Sequence, residues 1–224
     1  MRLTNKQVGK IVFNAFQQTF REKDNGNLRK NNSFRSAYFV SLIGKRLNEH
    51  FVDAKTNYQA IDSINSSGKL SGEWLYDISV TTQLKIIDER KGCGFSAINT
   101  NVLFACESEF DTSLQSFTTD FGKLICSNAN QYLFIQGLNQ KTSTGRRSFI
   151  DSRISIIKKT LEHLISDDFV LAFVPTPGKI GNFSFWDEHE NEVASWIEIY
   201  VYDASQNEFI QLKFQSIESL SLPI

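Results

Sequence analysis

The apolar positions of residues 4–20 recur at helical spacing, with Val8, Ile11, Val12, Ala15, Phe16 and Phe20 on one face and Thr4 placed to cap the start. A polar stretch rich in Lys, Asn and Gly, Arg21 to Asn32, predicts a loop. Ser33 then opens a second helix to about Phe51, carrying Ala37, Phe39, Val40, Leu42, Ile43 and Leu47. Residues 52–72 have no clean period, and Asn57 to Ile64 reads as a short strand or a loop. Glu73 to Lys85 alternates and is rich in Trp, Tyr, Ile, Val and Thr, which predicts a strand. A turn over 88–96 contains Lys91-Gly92-Cys93-Gly94 and leads to a second strand at 100–110. The pattern then predicts a helix at 116–128, a strand at 131–138 and a polar loop from Gln140 to Arg147. An amphipathic helix follows from Ile150 to Ile165, then a short apolar strand from Phe169 to Val174, ended by Pro175-Thr176-Pro177-Gly178. Two antiparallel strands, 195–202 and 208–215, close the chain across Ala204-Ser205-Gln206-Asn207. Helices, then strand–strand–helix–strand, then a helix and more strands predict an α/β fold, with a mixed central sheet flanked by helices in one domain over 1–224.

Composition narrows the function classes. Lys plus Arg is 24 against 25 for Asp plus Glu, so the net charge of −1 gives no support for strong nonspecific nucleic-acid binding, and any such contact must be local. Three cysteines, at 93, 106 and 126, are too few and too scattered for a disulfide framework or a zinc knuckle. Cys106 and Cys126 lie in apolar surroundings and are expected to be inert, buried thiols. His50, His163 and His189 lack ligand spacing. No nucleophile elbow or Walker-type loop occurs. Gln7, Lys10, Asn14 and Gln17 interrupt the apolar residues of the N-terminus, so no signal peptide is expected, and no stretch reaches the roughly 20 apolar residues of a membrane span. The expected location is the cytoplasm.

Charged residues cluster between Trp74 and Leu138. Residues 102–106 are apolar, and Glu107 and Glu109 stand at the end of that strand. Residues two apart share a face, so both glutamates project beside Ala105, with Cys106 and Ser108 opposite. Two carboxylates held that close repel by roughly 4 kcal/mol at 4 Å and an effective dielectric near 20, which a metal ion or a nearby lysine would relieve. Asp77 falls between apolar Leu75 and Ile78 on the preceding strand. Asp120 and Lys123 are three apart on the following helix and share its face. Plainer roles remain open: a wetted strand end for Glu107 and Glu109, a turn cap for Asp77, a helix first turn for Asp120 and a surface ion pair for Lys123.

This order of helix, strand with Asp, strand with Glu-Ser-Glu, helix and strand resembles the PD-(D/E)xK nuclease-like superfamily, the fold of many restriction endonucleases. The resemblance covers residues 34–138 and leaves 149–224 as a C-terminal extension. It implies a restriction-endonuclease-like core with added N-terminal helices, and metal-dependent hydrolysis of nucleic acid with Mg²⁺ or Mn²⁺ as cofactor. It also implies that Asp77, Glu107 and Glu109 hold the metal, Glu109 standing where lysine is usual, and that Lys123 is the cationic partner. Glu49 on the preceding helix and Asp120 match accessory acids. The superfamily's proline before the aspartate is replaced by Tyr76. Members often dimerise, so a homodimer or other protein partner is a further expectation. The basic stretch Gly145-Arg146-Arg147, with Lys141 and Arg153 nearby, offers contacts to phosphates. A non-catalytic interaction or accessory protein on the same fold is the alternative.

Overall fold

The computed structural model describes residues 2–26, 28, 32–58, 76–88, 94–162, 168–176, 179–180, 183–184, 186 and 193–214. Helices α1 (Asn5–Arg21) and α2 (Asn32–His50) come first, then strands β1 (Lys55–Tyr58), β2 (Ile78–Asp88) and β3 (Gly94–Glu109). Next come helix α3 (Leu114–Ile125), strand β4 (Tyr132–Leu138), helix α4 (Ser143–Leu161) and strand β5 (Phe169–Pro175). The short pair β6 (Lys179–Ile180) and β7 (Phe183–Ser184) precedes a 3₁₀ turn (Val193–Trp196), β8 (Glu198–Asp203) and β9 (Glu208–Leu212).

The main sheet has seven strands in the order β1-β2-β3-β4-β5-β8-β9. β3, β4 and β5 run parallel, and the other neighbouring pairs are antiparallel. Parallel neighbours need a crossover, and α3 and α4 supply the two required here. The fold is therefore mixed α/β, with a mostly antiparallel sheet.

Strand alternation builds two cores. Leu133, Ile135, Val170 and Ala172 face α1 and α2 with Phe16, Ile43 and Leu47. Phe134, Phe169, Leu171 and Phe173 face the other way, against Phe117, Phe121 and Leu124 of α3 and Ile150 and Ile157 of α4. β4 and β5 are buried along their whole length, as central strands covered on both faces must be.

Several element boundaries differ from the sequence expectation, each for a local reason. β2 starts at Ile78, because Asp77 turns its carboxylate onto the Ser108 backbone in place of a ladder bond; residues 73–75 lie outside those described. The ends of the turn expected at 88–96 are strand, since the β2–β3 ladder continues through Leu84↔Ile98 to Asp88↔Gly94, and 89–93 lies outside the described residues. α3 starts at Leu114, capped by Ser113, and gives way to a turn containing Asn128 at φ 49°. The basic stretch expected as a loop is helical: Thr142 caps α4 by accepting from the Gly145 amide, so Arg146 and Arg147 sit on the first turns of that helix. The strand expected from 195 starts at Glu198, after the 3₁₀ turn. Of the ambiguous segment, Lys55–Tyr58 is strand and 59–72 lies outside the described residues. Cys106 is buried as expected; Cys126, at the end of α3, is exposed instead, and Cys93 lies outside the described residues.

Candidate functional site

Alternation along β3 puts Ala105 in the α3-facing core and Cys106 in the opposite one. Glu107 and Glu109 therefore share the α3 face, beyond Ala105. The β2–β3 ladder pairs Ile78 with Cys106, which brings Asp77 alongside Glu107 at the same end of the sheet. α3 packs over this end and contributes Asp120 and Lys123.

Glu107 is 2% exposed. Its Oε1 lies 2.7 Å from Lys123 Nζ, the distance of a charge-assisted ion pair. Burial pushes the Glu107 carboxyl up to about 8; contact with Lys123 pulls it down, and the charges of Asp77 and Asp120 push it up again. Lys123, more than a third exposed, is held above its ordinary value by contact with Glu107 and by Asp77 and Asp120, which together outweigh its own burial. The two shifts oppose each other within one pair. The glutamate's direction governs, because its oxygen is buried and three carboxylates surround a single ammonium. Lys123 Nζ also lies 5.8 Å from the ring of buried Tyr76, a weaker cation–π contact.

Asp77 is half-buried, and its Oδ2 accepts from the Ser108 amide at 2.7 Å and from Ser108 Oγ at 2.6 Å. Glu109 Oε1 accepts from the Asp111 amide at 2.6 Å. Glu109 is raised to about 7, first by burial and then by the neighbouring Asp120 carboxyl, against the Asp111 amide, which lowers it.

Asp77, Glu107, Glu109, Asp120 and Lys123 thus come together at one end of the sheet. Glu49 does not join them: it is exposed at the end of α2, which packs on the opposite face, and its charge acts on Tyr58 of β1, whose hydroxyl is raised first by burial and then by Glu49. Arg146 is committed elsewhere, with Nε 3.4 Å from Glu198 and its guanidinium 4.2 Å from the Trp196 ring. Glu198 also accepts from the Tyr200 hydroxyl. Arg147 is exposed and pairs with Asp151 one turn on, leaving its outer face in solvent. Arg153 is buried against Phe117 and Phe149 rather than set out for phosphates.

Sequence reasoning passed over Ser108 and Gln136. Ser108 stood in plain view between the two glutamates, and its role depends on a contact 31 residues away. Gln136 is the one side-chain amide in the otherwise apolar run Tyr132–Leu138, a signal that was available.

Among the described residues, no group of three or more His, Cys, Asp and Glu side chains is arranged to enclose a metal ion. Mg²⁺ asks for less: one or two carboxylates, several retained waters and substrate phosphates. Asp77 and Glu107 are two neighbouring carboxylates at this strand end, and a cation there would compete with Lys123 for the Glu107 oxygen. No helix among the described residues is long and apolar enough to cross a membrane. Comparison with protein families, curated proteins and solved structures finds no match.

Proposed function

We propose that the protein is a metal-dependent phosphodiesterase acting on nucleic acid, with a PD-(D/E)xK-like core. The observation that carries this reading is the buried Glu107, flanked by Asp77 on the neighbouring strand and 2.7 Å from Lys123 on the following helix. The element order supports it as well: α2, the antiparallel β1–β2–β3, then α3 leading to β4 parallel to β3.

Asp77 and Glu107 would hold a divalent cation such as Mg²⁺ or Mn²⁺, which when bound acidifies a water and offsets charge on the phosphate. Ser108 fixes the Asp77 carboxylate through two donors, so one ligand is oriented in advance. Lys123 is partly exposed, and with a cation on Glu107 its ammonium would face the negative charge that develops on phosphate. Glu109, raised to about 7, suits proton transfer at the reacting oxygen better than a third ligand role. Arg147 is the exposed cation of α4 that suits a backbone phosphate.

The test is cleavage of single- and double-stranded DNA and RNA with Mg²⁺ or Mn²⁺ against EDTA, for wild type and Glu107→Ala. Metal-dependent cleavage that disappears in the folded variant supports the reading. Equal cleavage by both removes Glu107 from it. One observation favours a non-catalytic interaction protein instead: three of the cluster's four acids already have an internal partner, Ser108 for Asp77, Lys123 for Glu107 and Asp111 for Glu109. No cleavage of any substrate moves the weight to that second reading.

A further inference from the structure

Glu109 is held from β4 and α4 as well as by its own strand. The chain leaves β3 at Glu109 and reaches Ser113, the cap of α3, through Phe110, Asp111 and Thr112. Gln136, fully buried and beside Glu109 in the ladder, donates from Nε2 to the carbonyls of Glu109 at 2.9 Å and Asp111 at 3.2 Å. A Cβ on Gly137 would fall 2.9 Å from the Cα and the carbonyl oxygen of Phe110, so only glycine lets the loop pass this close to β4. Asn139 Nδ2 donates to Thr112 Oγ1 at 2.7 Å. From α4, Arg153 Nη2 donates to the Thr112 carbonyl at 2.9 Å.

Arg153 is the unusual member of this set. It is 6% exposed, its guanidinium lies 4.7 Å from the Phe117 and Phe149 ring centroids, and its Nε has no hydrogen-bond partner among the described residues. A cation in so apolar a place is costly, and an apolar residue of similar volume would usually pack there at no loss of stability. Stability alone therefore does not account for it. What the arginine does uniquely is fix the Thr112 carbonyl with a planar donor wedged between two rings.

We propose that Arg153 and Gln136 are positioning residues that lock the β3–α3 loop and thereby hold the Asp111 amide on the Glu109 carboxylate. The link is the Asp111 amide: it sits inside the clamped loop and donates to Glu109 Oε1. The inference rests on the reading of the acidic cluster as the working site, though not on its metal or substrate.

The test is amide hydrogen exchange by NMR on the full chain, for wild type, Arg153→Lys, Gln136→Leu and the milder Asn139→Ala. Two amides are compared: Asp111, which reports Glu109, and Ser108, which donates to Asp77 on the same strand end. Loss of one hydrogen bond corresponds to about a tenfold faster exchange. Arg153→Lys and Gln136→Leu are expected to speed Asp111 by that factor and leave Ser108 unchanged, with a smaller rise for Asn139→Ala. Lysine keeps the charge but not the planar wedge, so it should fail to rescue. An unchanged Asp111 rate in the folded variants overturns the proposal, and so does equal acceleration of both amides, which would mean general loosening. If the two stronger variants do not fold, Asn139→Ala decides by the same comparison. The readout uses no metal or nucleic acid, so its failure is separate from any failure of the hydrolase reading.

Discussion

Glu107 is a carboxyl group placed where its charge is expensive, and the cost depends on pH. Its folded value is raised from 4.5 to about 8, chiefly by burial. The folded chain therefore holds this proton more tightly than the unfolded chain does, so stability contributed by Glu107 is fully present below its ordinary range and is withdrawn as pH rises toward 8. Glu109, raised to about 7, adds a slope of the same sign. Thermal unfolding between pH 5 and 8.5 should therefore show wild type losing stability relative to Glu107→Gln as pH rises, with the variant the more stable at the alkaline end. A difference that stays constant across that window would mean Glu107 titrates normally. At this scale the sequence was informative where alternation alone decides orientation, as for Glu107 and Glu109. It misled on Arg153, which the nearby basic stretch pointed toward phosphates, whereas Phe117 and Phe149 close around it between Ile150 and Ile157 of α4.

α3 and the loop before it decide whether these residues meet. Ser113 Oγ accepts from the Ser116 amide at 3.2 Å, and Asp111 ties the same turn to the loop through the Ser113 amide at 2.9 Å. Ser113→Ala should cost about 1 kcal/mol in urea unfolding, the usual loss for an N-cap; no measurable change would show that Asp111 alone secures the turn. Gly137→Ala forces the Phe110 backbone away from β4 and should cost roughly 1–3 kcal/mol in the same assay, as overpacking does. A neutral result there would mean the loop is free to shift. The helix and both strands were legible from periodicity, because their apolar faces are strict. The start of α4 was not: Gly145, Arg146 and Arg147 read as a polar loop, and the Thr142 cap was the overlooked signal.

On the scale of the whole molecule, the sheet separates two unlike faces. α1 and α2 cover one with a largely apolar core, while α3 and α4 cover the other and leave the acidic cluster at its end. The layered α/β architecture followed from the order of elements, whereas the strand order, with β5 beside β8, required the structure. The β2–β3 hairpin runs past β1 and β4 and exposes the opposed pair Leu84 and Ile98, 57% and 51% accessible. Replacing both by threonine should change stability by less than about 1 kcal/mol, since each is a surface site; a larger loss would reveal a partner covering the hairpin. The near-neutral net charge places any attraction for a polyanion in the local site rather than the overall field. The central claim is that Asp77 and Glu107 form a cation site in competition with Lys123. It is tested most directly by calorimetric titration of Mn²⁺ into wild type and Glu107→Gln at pH 6 and pH 8.5. Wild type should bind saturably and more tightly at pH 8.5, above the raised range of Glu107, and the variant should not bind. Binding of equal strength in both proteins, or none by wild type at either pH, would contradict it.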